Sequence, residues 1–264
     1  MDSTQSRKLE KFKNLKYAVE IDDVKKTFDG KDFILKGINL KIPKGSLTAI
    51  IGFSGTGKSV MLKHMLGLFK PTSGAVKVLG TDLSTLSPDE LTQFRCNYGV
   101  LFQSAALFDD MTVQENVMFP LLEHRRELRL EQTVQIAQEK LKMVGLDPKH
   151  YNKLPSQISG GMQKRTGLAR ALALDPEIIV YDEPTTGLDP ILTEMVDDLI
   201  LSTHKSRPGT TSIMVSHDLP AAFRIADFIV MLDAGRVLLA GTADDFYKTD
   251  IELVRKFVDK GIKH

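Results

Sequence analysis

LTAIIGFSGTGKS, Leu47 to Ser59, decides the reading of this chain. A short apolar run gives way to a glycine-rich loop, and the loop opens a helical run, KSVMLKHMLGLF. A strand, then GxxxxGK[ST], then a helix is the context in which this pattern cradles phosphates. Glycines let backbone N–H groups converge on phosphate oxygens at a helix N-terminus, where unpaired donors and the helix dipole both favour negative charge. The candidate phosphate site therefore comprises Gly52, Phe53, Ser54, Gly55, Thr56, Gly57, Lys58 and Ser59, with Val60 opening the helix. Lys58 is placed to reach the β- and γ-phosphates of a nucleotide, and the Ser59 hydroxyl to ligate magnesium.

Two further stretches are built like the first. EIIVYDEP (Glu177 to Pro184) and TSIMVSHD (Thr211 to Asp218) each carry an apolar core that ends in polar residues. They read as buried central strands of a largely parallel sheet, and open sheets of this kind bind ligands at the carboxyl ends of their strands. Asp182 and Glu183 follow one strand directly, so one carboxylate can hold magnesium through water while its neighbour polarises an attacking water. Alone, such a pair is as often a turn former as a catalytic group. Behind a phosphate loop the catalytic reading gains weight. His217 ends the other strand, where a ring nitrogen could reach a γ-phosphate or an attacking water. His64, His124, His150, His204 and His264 lie beside no candidate catalytic group and read as structural. Gln103, after GVLF, either touches magnesium or caps a strand.

Short β-rich runs alternating with helical patterns make the fold class α/β. Residues 19–46 and 75–82 suggest strands of an antiparallel sheet, as does DFIVMLDAGRVLLAGT with Ala234 and Gly235 at a hairpin turn. From Thr112 to Lys153 the pattern is helical, with Val134, Ala137, Leu141 and Val144 along one face before Gly145 and Pro148. These readings place one α/β domain carrying the phosphate loop at 19–245, a helical insert at about 104–160, a polar tail at 1–18 and a helical extension at 246–264, whose Val254, Phe257 and Val258 form an apolar stripe. SGGMQKR starts a helix with Ser159 as N-cap and Met162, Leu168, Ala169 and Leu172 toward a core. Paired glycines just after a cap cost helix propensity, so they suggest that something approaches this backbone closely, as a second phosphate-binding helix terminus would require.

Bulk composition narrows the function classes. With 42% hydrophobic and 26% charged residues, the 264-residue chain can bury a sizeable core. Thirty-five basic against 34 acidic residues give no reason to expect a nucleic-acid partner. The single Cys96 excludes an internal disulfide, and no Cys/His cluster suggests a bound metal. No apolar run reaches the roughly 18 residues of a membrane-spanning helix, and MDSTQSRKLEKFKNLKYA lacks the apolar core of a secretory signal, so it is expected to be retained.

Taken in order, GFSGTGKS, Gln103, ISGGMQKR, IIVYDEP, TTGLDP and His217 resemble the Walker A, Q-loop, signature, Walker B, D-loop and H-loop of ABC-type ATPase subunits. The resemblance spans about Val19 to Asp259, and Phe28 stands where that family stacks an aromatic ring on adenine. It implies ATP and Mg2+ as cofactors, Glu183 as general base, His217 on the γ-phosphate, and Ser59, Gln103 and Asp182 around the metal. It also implies a head-to-tail dimer with a second copy, in which Ser159, Gly160 and Gly161 of one chain and Asp189 of its D-loop complete the ATP site of the other. The usual fifth signature residue is glutamine, so Met162 here lacks a side-chain donor while the serine and glycine contacts remain.

FQSAALFDDMTVQENVMFPL, together with the methionine in SGGMQKR, resembles the ATPase subunit of Mla-type lipid transporters. That narrower resemblance implies a peripheral protein on the cytoplasmic face of the bacterial inner membrane. Its partners would be permease subunits, a small cytoplasmic regulatory protein and an extracytoplasmic lipid-binding subunit, and its cargo phospholipid. Polar amino acid importers share much of the pattern, so an importer ATPase remains the alternative.

Overall fold

Residues alternate along a strand between the two faces of its sheet, and here both faces are covered. In β3 (Leu47–Ile51), Leu47, Ala49 and Ile51 join one hydrophobic cluster while Ile50 joins another. In β7 (Ile178–Asp182), Ile179 and Tyr181 point one way and Ile178 and Val180 the other. β8 (Thr211–Val215) divides Met214 from Ile213 and Val215 in the same manner. Every residue of β3 and β8 is buried, which is why these strands read as unbroken apolar runs. With β6 (Tyr98–Leu101), β9 (Phe228–Asp233) and β10 (Arg236–Gly241) they form a six-stranded sheet in the order β10-β9-β3-β8-β7-β6. All of its pairings are parallel except β9 with β10.

The second layer is an antiparallel sheet of β1 (Tyr17–Thr27), β2 (Phe33–Pro43), β4 (Ser73–Val78) and β5 (Thr81–Asp82), ordered β2-β1-β4-β5. It buries Val19, Ile21, Leu35, Ile38 and Ile42 against Ile50, Val180 and Val215 of the central sheet. One expectation needs correction. The hairpin at Ala234–Gly235 does not extend this antiparallel sheet, because β9 pairs in parallel with β3 and makes β9–β10 the edge of the central sheet. Local alternation predicts a hairpin equally well in either location; only burial of β9 on both faces separates them.

The described residues are 15–262 of this computed structural model, so most of the polar N-terminal segment lies outside them. The helices are α1 (Lys58–Met65), α2 (Pro88–Arg95), α3 (Val113–His124), α4 (Leu130–Met143), α5 (Gly160–Leu172), α6 (Pro190–Lys205), α7 (Leu219–Ile225), α8 (Ala243–Lys248) and α9 (Glu252–Ile262). Among the described residues none is long and apolar enough to cross a membrane. α3 starts at a capping box in which Thr112 and Glu115 satisfy each other's backbone N–H groups. Gly145, just past α4, takes φ +72°, as a glycine ending a helix does. α3, α4 and α5 pack together through Val117, Leu121, Ala137, Leu141, Leu168 and Leu172. α9 lies on the body of the chain, with Val254 and Val258 buried.

One ion cluster pins the α4 side of the molecule to the rest. Asp175, in the turn between α5 and β7, accepts from Lys140 of α4 at 2.5 Å and from Arg207 beyond α6 at 2.9 Å. Burial alone would raise the Asp175 carboxyl, but these two cations outweigh it and hold the group below its ordinary value. A carboxyl lower in the folded than in the unfolded chain stabilises above its unfolded value, and the contribution is lost as pH falls through the folded one. Asp175→Asn is therefore expected to lose about 2 kcal/mol at neutral pH, shrinking below about pH 4. Urea unfolding at a series of pH values checks this, and a deficit independent of pH would count against it.

Candidate functional site

Register builds the site. Ile50 is paired with Val215 in parallel, and Val215 with Asp182, so these three residues form one row across β3, β8 and β7. Leu101 of β6 is paired with Tyr181 one step earlier. Everything beyond this row is therefore delivered to the same edge: the Gly52 loop after β3, Glu183 after β7, His217 after β8 and Gln103 after β6. Glu183 N donates to the Val215 carbonyl at 2.9 Å and Ser216 N to that of Ile50 at 3.1 Å, which extends the ladder to that edge.

The Gly52 loop wraps around its own lysine. Lys58 is buried, and its Nζ donates to the carbonyls of Gly52 (2.8 Å) and Phe53 (2.9 Å). Burial pushes the ammonium below the ordinary lysine range, and Glu183 opposes the shift. Gly57 caps α1 in the left-handed region at φ +103°, and a Cβ there would come within 2.9 Å of Leu35. A Cβ on Gly52 would lie 2.3 Å from the Leu232 carbonyl, so no side chain fits where the loop passes β9. Among the described residues, the backbone N–H groups of Gly55, Gly57, Lys58 and Ser59 donate to no loop or cap acceptor. A ring of free donors at a helix N-terminus, with a cation in its centre, fits the phosphates of a nucleotide. Ser54 and Ser59 are exposed there and Thr56 is buried, its hydroxyl donating to the Phe53 carbonyl at 2.9 Å.

Opposite the loop, Asp182 and Glu183 are half-buried. Burial first, and the neighbouring Glu183 second, raise the Asp182 carboxyl, while Lys63 acts against them. Glu183 itself sits in the left-handed region at φ +47°, which turns its side chain from the strand direction. Its Oε2 accepts from Thr186 Oγ1 at 3.1 Å and stands 3.8 Å from His217 Nδ1. His217 is exposed, as is Gln103. Among the described residues no group of three or more His, Cys, Asp or Glu could hold a metal alone. Ser59 and Asp182 are oxygen donors of the kind that would hold magnesium, an ion that few protein groups bind and substrate phosphates complete.

Phe28 projects from the end of β1, exposed, with its ring edge on Phe69 (5.3 Å between centroids) and Lys26 Nζ 4.9 Å from its own centroid. Phe53 is half exposed and packs edge-on against Phe257 of α9 at 4.8 Å. Ser159, Gly160, Gly161 and Asp189 are the predicted residues that this chain does not bring to the Lys58 loop; among the described residues no hydrogen bond joins them to it. Ser159 caps α5 by accepting from Met162 N, and Asp189 caps α6 by accepting from Leu192 N at 3.0 Å. A Cβ on Gly160 would meet nothing within 4 Å and one on Gly161 only Leu192 at 3.7 Å. Among the described residues, no steric contact requires glycine at either position.

Three residues of the site escaped the sequence reading. Thr186 orients Glu183, and Gly235 N donates to the Thr56 carbonyl at 3.2 Å, tying the β9–β10 turn to the phosphate loop. Local pattern gives no sign of the first and marks Gly235 only as a hairpin turn. Lys164 is buried between the Gln103 and Pro184 carbonyls, and it does carry a signal: it stands four and eight residues before Leu168 and Leu172, a charged position on an apolar helix face.

Residues 35–186 match the ABC transporter family. The chain is 40% identical over 242 residues to the probable ribonucleotide transport ATP-binding protein mkl of Mycobacterium leprae, covering 92% of this chain and 69% of that one, so it spans about two thirds of that relative. It is 40% identical over 227 residues to the intermembrane phospholipid transport system ATP-binding protein MlaF of Haemophilus influenzae, covering 86% of this chain and 85% of MlaF. Among solved structures it is similar to the dimeric post-hydrolysis state of the ATP-binding cassette MJ0796 bound to ADP and Pi. There the TM-score is 0.76 with 36% identity, over 85% of this chain and 98% of that one. By its matched residues, its two-sheet fold and its phosphate loop, this chain belongs to the ABC transporter family as an ATP-binding, ATP-hydrolysing subunit.

Proposed function

We propose that this subunit drives phospholipid movement through a separate membrane permease, working as a head-to-tail pair of copies. The observation that carries the catalytic part is the meeting of Lys58, Asp182, Glu183 and His217 on one sheet edge, with Glu183 Oε2 3.8 Å from the His217 ring. In this reading Lys58 and the free loop amides hold the phosphates, and Ser59, Asp182 and Gln103 surround Mg2+. Glu183 takes the proton of the attacking water, and His217 contacts the γ-phosphate. Magnesium would supply charge neutralisation at the transferring phosphoryl group. Phe28 stacks on adenine.

The second copy is invoked by what the first leaves open. Ser159 and Gly160 are exposed, no Cβ contact explains Gly160, and Asp189 is exposed at the start of α6. A partner that places these groups over the Lys58 loop gives both glycines a reason. The solved dimer of MJ0796 supports such a pair. For the permease, an apolar groove beside Gln103 offers Phe102, Phe108, Phe119 and Leu174 to a docking segment, with Arg170 packed over Phe108. Such a subunit lies peripherally on the cytoplasmic face of the inner membrane, alongside an extracytoplasmic lipid-binding subunit and a small regulatory protein.

Similarity to MlaF over most of both chains, together with FQSAALFDDMTVQENVMFPL, supports phospholipid as cargo. A small-solute importer is the second reading, favoured by 39% identity over 220 residues to a relative whose name gives methionine import.

Glu183→Gln should retain ATP binding while hydrolysis falls by about two orders of magnitude or more, the scale of losing one transition-state group. Unchanged turnover would defeat the assignment of the base. Lys58→Ala should weaken nucleotide affinity by at least about tenfold, since it removes a charge-assisted contact, and isothermal titration would register this as a higher Kd. Cargo is tested by purifying the chain from its native membrane and identifying attached proteins and lipids by mass spectrometry. Permease with bound phospholipid is expected; permease with a solute receptor would transfer the assignment to an importer.

A further inference from the structure

Lys164 occupies a position that favours an apolar side chain. It lies in the second turn of α5, on the face that carries Leu168 and Leu172 into the core, and only 6% of it is exposed. Among the described residues no carboxylate pairs with its ammonium. Instead Nζ donates to two backbone carbonyls, that of Pro184 at 2.7 Å and that of Gln103 through a short contact. A buried charge answered only by carbonyl dipoles is costly, so the two segments it joins are informative.

Both segments flank proposed catalytic groups, and both contain backbone that L-residues resist. Pro184 directly follows Glu183, which is left-handed at φ +47°. Gln103 precedes Ala105 and Ala106, left-handed at φ +61° and +48°. The same helix reaches the second segment again six residues later, where Arg170 donates to the carbonyls of Ala106 and Ala105, each at 2.7 Å. Such conformations persist only where surrounding contacts over-determine them. Lys164 is the one side chain in the described residues whose polar atom bonds to both segments at once, and it extends from the helix that begins at Ser159.

We infer that Lys164 is a positioning residue for ATP hydrolysis: its ammonium holds the Gln103 and Glu183 segments at a set separation and ties both to the signature helix. Glu183 then meets the attacking water only when α5, the Gln103 segment and the end of β7 are in register. A shift of α5 is passed to both segments through one atom. The inference rests on the roles proposed above for Gln103 and Glu183.

The test measures kcat and KM for ATP in the full-length chain carrying Lys164→Met or Lys164→Arg, with hydrogen–deuterium exchange of residues 101–107 and 183–188. For Lys164→Met we expect kcat to fall by about 10- to 100-fold, the scale of a small misplacement of reacting groups, with KM changed by less than about threefold. Exchange should accelerate in both segments together. Lys164→Arg, whose guanidinium can also donate to two carbonyls, should recover kcat to within about fivefold. An unchanged kcat per folded molecule in Lys164→Met overturns the inference, and so does a lowered kcat with unaltered exchange. If the methionine variant does not fold, Lys164→Gln carries the test: an intermediate kcat with unchanged KM is expected, and wild-type kcat would overturn it. Full hydrolysis by Glu183→Gln would instead remove the role given to Glu183, and a kcat-only defect in Lys164→Met would stand apart from it.

Discussion

Parallel pairing of Ile50, Val215 and Asp182 in one row is the constraint on which the rest depends. Parallel strands end at the same edge, and a one-residue slip would exchange the faces of every side chain in the slipped strand. Two separate cores read those faces. Ile50 and Val215 must enter the cluster under the antiparallel sheet, while Ala49 and Met214 enter the cluster under the helices. Burying one such aliphatic side chain contributes about 1.5–3 kcal/mol, so slippage would oppose several of these contributions at once. Catalytic geometry is thereby inherited from hydrophobic packing well behind it.

At the edge itself the chain departs from regular structure. Gly52 at φ +146°, Glu183 at +47° and Ala105 at +61° all lie where a strand should have ended in an ordinary turn. Glycine takes such angles at little cost, but the glutamate and the alanine do not. Their neighbours offset the strain: Val215 accepts from the Glu183 amide, Thr186 holds its carboxylate, and Arg170 fixes the carbonyls of Ala105 and Ala106. Strain of this kind accompanies sites in which a side chain must be aimed rather than merely accommodated.

Much of this was legible in the residues themselves. LTAIIGFSGTGKS, EIIVYDEP and TSIMVSHD are apolar because both faces are buried, and each breaks into polar residues at the point where the sheet ends, so strand and site boundaries coincide. The helical stripe Val134, Ala137, Leu141 and Val144 was readable for the same reason, since the last three are buried at helical spacing and Val134, half-buried, packs against the same core. What local pattern could not supply was which sheet a strand joins. β9 and β10 alternate like any hairpin, and their membership is set by the pairing of Thr48 with Phe228, which lie far apart in the chain. Lys164 is marked in the sequence only as a charge on an apolar helix face; what it binds was hidden for a related reason, because its partners are backbone carbonyls and a carbonyl leaves no mark in sequence.

The turn at Ala234–Gly235 also bears on motion. Gly235 accepts from Lys36 N at 2.9 Å and donates to the Thr56 carbonyl at 3.2 Å, while a Cβ there would stand 2.2 Å from the Ile34 carbonyl. Phosphate loop, central-sheet edge and antiparallel sheet are thus welded at one residue that admits no side chain. Phe28 hangs from the same antiparallel sheet and rests on Phe69, just beyond the end of α1. If, as proposed, Phe28 takes a base and Lys58 the phosphates, the two are joined through this one bonded frame. Within that proposal, a ligand too short or too long to reach both residues would forgo one of the two contacts.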